Sequence, residues 1–84
     1  MNAPAIMRLS HLKQGERAYI AELEDSDLTE KLLEMGCLPG EEVVVEHVAP
    51  LGGPIAISVV GYKFSLRKSD ASHILVQQVP LELV

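Results

Sequence analysis

Along three stretches of this chain apolar and polar side chains alternate with a period of two, the signature of a strand with one face buried. In the first, Val43 and Val45 point one way while Glu42, Val44 and Glu46 point the other, and β-branching favours extended backbone. In the second, Ile55, Ile57 and Val59 alternate with Ala56, Ser58 and Val60. Gly61 then separates it from the third, where Tyr62, Phe64 and Leu66 share one face and Lys63, Ser65 and Arg67 the other, so the last two read as a tight hairpin. The dense turn segment Ala49-Pro50-Leu51-Gly52-Gly53-Pro54 stands before it. Arg17–Leu23, after Gly15, and His73–Val79, up to Pro80, carry the same character more loosely.

The period changes once. After Glu24-Asp25-Ser26, the run Asp27-Leu28-Thr29-Glu30 has the form of a capping box in which Asp27 accepts from an early amide and Glu30 reaches back. At about 100° per residue Leu28, Leu32 and Met35 fall on one stripe, Glu30 and Glu34 lie opposite, and Leu33 sits at the margin, which predicts a two-turn amphipathic helix. Gly36 suits a left-handed cap, and Leu38-Pro39-Gly40-Glu41 suits a type II turn. Lys68–Ser72 is polar and short, the length of one helical turn. The reading is mainly β: a small, partly open five-stranded barrel with one short α-helix between the first and second strands, since a sandwich needs about 100 residues.

Composition narrows the class of partner. The chain has 84 residues, 48% hydrophobic against 23% charged, which suits one domain over 1–84 and argues against disorder. Its formal charge of −5, with only Tyr19, Tyr62 and Phe64 as aromatics, is the wrong balance for nucleic acid. A single cysteine, Cys37, allows no disulfide within the chain and fits a reducing compartment. The opening MNAPAIMR lacks the form of a signal peptide, and no apolar run approaches the roughly 20 residues of a membrane span, so the expected location is cytoplasmic.

Several of these motifs recur in a known order: Leu32-Leu33-Glu34-Met35-Gly36, Cys37-Leu38-Pro39-Gly40, the turn from Ala49 to Pro54, Gly61, and Leu66-Arg67. In that order the chain resembles the FeoA family, from about Leu9 to Val79. It departs from the pattern mildly, with Cys37 where many members carry an apolar residue and Asp70-Ala71 where Glu-Ala is common. The resemblance implies an SH3-like barrel, similar to the C-terminal domain of DtxR-type metal-dependent repressors. It also implies a cytosolic, non-enzymatic accessory to a FeoB-like ferrous iron transporter, peripheral to the inner membrane through that partner and contacting its cytoplasmic GTPase part. The alternative it leaves open is a transition-metal-responsive binding module or regulator.

The residues themselves offer little reaction chemistry. No Gly-x-x-x-x-Gly-Lys-Ser/Thr stretch is present to cradle phosphates, and Cys37 has no neighbouring base in sequence, which argues against an enzyme. Thiolate and imidazole favour borderline metals, so Cys37 and His47 are the candidate ligands for weak Fe²⁺ or Zn²⁺ binding, although His11 and His73 complete no paired spacing with them. Tyr62 and Phe64 are expected in the core, which leaves no aromatic groove for polyproline. The candidate partner surface is therefore Leu33, Cys37, Leu38 and Leu51 around the helix end and turns, with Lys63 and Arg67 on one side of a strand as basic contacts. Self-association is a further expectation, resting on the high apolar fraction.

Overall fold

The alternating stretches do form strands, and all of them belong to one antiparallel sheet in the computed structural model, which describes residues 5–78. The strands are β1 (Ala5–Arg8), β2 (Arg17–Leu23), β3 (Glu42–Val48), β4 (Ile55–Val59), β5 (Tyr62–Leu66) and β6 (Ile74–Gln78). Two helices, α1 (Asp27–Glu34) and α2 (Lys68–Ala71), and a 3-10 turn over Leu9–His11 complete the elements. Val79 and Pro80, the expected end of the last strand, lie outside the described residues.

This corrects the expected five-stranded barrel in two ways. The sheet has six strands in the linear order β1-β6-β2-β3-β4-β5, and no pairing among the described residues joins β1 to β5, so it is open and not closed into a barrel. The helix consequently lies between the second and third strands, not the first and second. The cause is β1. Four residues are too few to display a period, and this segment becomes a strand by a long-range pairing, Ala5 with Gln78 through Arg8 with Leu75, that no local pattern announces. Seated on the outer side of β6, it makes β6 an interior strand and leaves β1 and β5 as two separate edges.

The strand alternation builds the core. Val43 and Val45 of β3 stand opposite Val59 and Ile57 of β4, and all four side chains are buried. Val76 and Ile74 extend this layer on β6, and Leu9, from the 3-10 turn, is completely buried against it. Each such aliphatic side chain contributes about 1.5–3 kcal/mol by leaving water.

The two ends of α1 show which local signals decide it. Its N-cap is Ser26 and not Asp27: Ser26 Oγ accepts from the Thr29 amide at 3.2 Å, and Thr29 Oγ1 accepts from the Ser26 amide at 3.0 Å. The capping box is thus shifted one residue from its expected place, and Thr29 is buried with its hydroxyl satisfied by the Ser26 carbonyl at 2.9 Å. At the other end Gly36, at φ +92°, reverses the chain as expected. The Cys37 amide donates to the Leu32 carbonyl and the Gly36 amide to the Leu33 carbonyl, the paired bonds of a Schellman motif. That motif favours an apolar contact between these two positions, and Leu32 and Cys37 both lie in the core. The type II turn then forms as read, with the Glu41 amide donating to Leu38 C=O at 3.0 Å and Gly40 at φ +97°. Two further bonds, Gly40 N–H to Ile20 C=O and Ile20 N–H to Glu41 C=O, fasten this turn to the middle of β2.

Candidate functional site

The residues read as a partner surface occupy several places. Leu38 stands in the turn that feeds the start of β3, and Leu33 lies in the last turn of α1; they are 47% and 42% exposed. Leu51 is fully exposed in the loop that leaves the other end of β3. Ile55 pairs with Leu66 where that loop enters β4, so Leu51 and Arg67 share one end of the sheet. Cys37 is 1% exposed and lies beneath the turn, inside the core.

Lys63 and Arg67 do not line one surface. Lys63 borders a shallow groove on the outer face of β3–β5 with Glu42, Val44, Glu46 and Ser58. Arg67 borders a second groove with Ser26, Asp27, Lys31, Asp70 and His73. The strand ends at Leu66, and Arg67 serves as the N-cap of α2, its Nε donating to Asp70 Oδ2 at 3.2 Å. Lys63 stands in no ion pair among the described residues. In its groove Glu46 is held by Ser58, whose hydroxyl donates at 2.8 Å, and Glu42 pairs with Arg17 at 3.5 Å.

The candidate metal ligands differ in setting. Burial, with a smaller contribution from the Glu41 charge, pushes the Cys37 thiol above its ordinary value, which disfavours the thiolate that metals and electrophiles require. His47 is exposed on β3, just past a bulge in its pairing with β4. Among the described residues no group of three or more His, Cys, Asp or Glu is gathered in a form that could hold a metal ion.

Three features escaped the sequence reading. Tyr62 is 47% exposed and Phe64 only half-buried, because on an edge strand a core-facing side chain has a neighbour on one side only; their rings lie 6.1 Å apart. Val60, in the two-residue turn between β4 and β5, is exposed at φ +53°, an unfavourable conformation for a β-branched residue. The Val-Gly pair at a hairpin turn was the available signal, since that site ordinarily carries Asn-Gly. Finally, Arg8 Nη1 donates to Glu24 Oε1 at 3.0 Å and to Ser72 C=O at 2.6 Å, and His73 Nδ1 lies 3.5 Å from the same carboxylate. No local pattern could bring these four positions together.

The described residues thus form a small open sheet with a helical cover, exposed leucines in the last turn of α1 and in two connecting turns, and a single buried thiol. The FeoA domain family matches the chain over residues 7–78, and the chain belongs to that family, a class of non-catalytic accessory modules. It is 38% identical over 74 residues to an Fe(2+) transport protein A/Fe(2+) transporter FeoB fusion protein of Porphyromonas gingivalis, which covers 87% of this chain but only 9% of that protein. Among solved structures it is similar to iron(II) transport protein A of Clostridium thermocellum, at 44% identity and TM-score 0.77 over 93% of this chain and 51% of that one. It is also similar to a Stenotrophomonas maltophilia FeoA complexed with zinc, at 31% identity and TM-score 0.75 over 83% and 88% of the two chains. The fold, though at only 18% identity, is shared with part of a manganese-dependent transcriptional repressor, at TM-score 0.78 over 93% of this chain and 44% of that one. No helix among the described residues is long and apolar enough to cross a membrane.

Proposed function

We infer that this chain is a cytoplasmic, non-enzymatic accessory protein of ferrous iron transport that docks on the cytoplasmic GTPase part of a FeoB-like transporter and modulates uptake. The observation that carries this reading is the fusion protein, in which a segment similar to this chain is joined to a FeoB transporter in one polypeptide. Covalent linkage holds a module beside its target at high effective concentration, which favours a surface on the module that contacts that target. Leu33, Leu38 and Leu51 supply apolar contacts, Lys63 and Arg67 supply orienting charge, and Cys37 supports the Leu38 turn from beneath.

Leu51 gives the sharpest test. It is a fully exposed apolar side chain at φ +59°, a backbone conformation that Asn adopts more easily. Leu51→Asn is therefore expected to fold at least as stably as the parent while capturing roughly tenfold less transporter from detergent-solubilised membranes. If neither the parent nor any variant captures a transporter while the chain is folded and monodisperse, docking is wrong.

A further inference from the structure

Cross-strand rows of the sheet run out at β5 with their chemistry incomplete. On the outer face the row Arg17, Val44, Ser58, Lys63 ends in a cation at the edge whose direct neighbour on β4 is a neutral serine. On the inner face the rows Val43, Val59, Tyr62 and Val45, Ile57, Phe64 end in aromatic side chains that are only partly covered. The backbone is unfinished too. Val59 and Tyr62 flank a two-residue turn, so Tyr62, Phe64 and Leu66 direct their N–H and C=O groups at β4, whereas Lys63 and Ser65 direct theirs away from it. Neither residue makes a backbone hydrogen bond on that side among the described residues.

We propose that this edge accepts an extended peptide of alternating acidic and apolar residues as a seventh strand. The peptide main chain would take the outward groups of Lys63 and Ser65. Its apolar residues would continue the Tyr62 and Phe64 rows, and an Asp or Glu opposite Lys63 would give that cation a direct ion-pair partner, beyond the Glu42 and Glu46 that share its groove. A second copy fits less well. An antiparallel β5–β5 pair using the same free groups sets Lys63 against Ser65 of the other copy, leaving both lysines unpaired and diagonal to each other. The proposal rests on the docking reading above, in which Lys63 supplies orienting charge, and it specifies what the β5 edge would contribute to such docking.

The test is a titration of the isotope-labelled 84-residue chain with a capped heptapeptide of alternating valine and glutamate. Controls have the same composition with the glutamates in one block, or lysine in place of glutamate. The expected result is saturable amide shifts centred on β5, with hydrogen exchange at Lys63 and Ser65 slowed about tenfold or more. Ser65→Pro removes one of the outward donors at an edge position that tolerates proline and should abolish the protection. Lys63→Glu, an exposed change whose fold is verified by its amide spectrum, should weaken the glutamate peptide about fivefold at low salt and reverse the preference towards lysine. No saturable shift, shifts mapped elsewhere, equal binding of the block control, or β5-mediated dimerisation without peptide would each overturn strand addition. If the peptide fails while the chain still captures transporter, this proposal falls and docking stands; if the peptide binds but capture fails, the reverse holds.

Discussion

The two edges of the sheet are treated oppositely. The β1 edge is tied: Arg8 at its end bonds to Glu24 beyond β2 and to Ser72 beyond α2, and the next residue, Leu9, is completely buried. The β5 edge carries no comparable side-chain tie among the described residues: Leu66 at its end is buried, but its core-facing aromatics Tyr62 and Phe64 remain partly exposed. Exposed strand edges are a hazard that proteins blunt or cover, so an edge fastened by long-range contacts belongs to the fold, while one guarded by a single lysine is available for use.

The contrast should appear first in core substitutions. Leu9→Ala is expected to cost about 3 kcal/mol, because it removes a completely buried side chain beside the short strand and leaves a cavity. Phe64→Ala, at a half-buried edge position, should cost about half as much, roughly 1.5 kcal/mol. Urea unfolding of the two variants side by side checks the ratio. Equal losses would mean that the β5 edge is held as firmly as the 3-10 turn that anchors the end of β1, and the contrast between the edges would fail.

Next in size is the polar tie. Arg8→Ala removes the guanidinium from the Ser72 carbonyl and should cost about 1 kcal/mol, with faster hydrogen exchange in β1 and unchanged exchange in β5. The same cluster gives a dependence on pH. The Arg8 hydrogen bond is the leading cause that holds the Glu24 carboxyl below its ordinary value of 4.5. A depressed carboxylate stabilises the fold above its unfolded value, and that contribution disappears as pH falls through the folded value. The thermal midpoint should therefore drop between pH 6 and pH 3 by more in the parent than in Glu24→Gln. The exposed carboxylate makes this difference small.

These edges also explain what could be read in advance. The strands β3, β4 and β5 follow from local alternation, and the helix end follows from Gly36 and the Pro39-Gly40 turn, all of them decided within a few residues. β1 is illegible locally because its strand character is conferred by β6, some seventy residues away; the strand count and the place of the helix follow from it, whereas the open sheet follows from β5 having no partner beyond β4 among the described residues. The candidate site was legible in part for the same reason. Exposure of Leu33, Leu38 and Leu51 follows from helix phase and turn position. The separation of Lys63 from Arg67 does not, since strand periodicity puts both on one side and only the onset of α2 directs Arg67 into another groove. Position along the sheet, which no single-strand pattern encodes, decided whether Tyr62 and Phe64 would be covered.

The smallest predicted effect concerns the turn that begins the free edge. Val60 at φ +53° and Gly61 at φ +80° occupy the two central positions of the β4–β5 hairpin, where both residues need positive φ. Glycine meets that requirement without cost, but a β-branched side chain crowds the backbone there, and an asparagine adopts the same geometry readily. Val60→Asn should therefore stabilise the chain by about 0.5–1 kcal/mol, measured as a higher urea midpoint with an unchanged slope. Because Val60 is about half exposed, only a small apolar contact is lost against the gain. A neutral or negative result would show that the valine holds the hairpin through contacts of its own, and β5 would then be tethered in a way that the comparison of the two edges denies. A positive result together with weaker binding of the alternating peptide would mean that the strained, exposed valine is retained for the edge it opens.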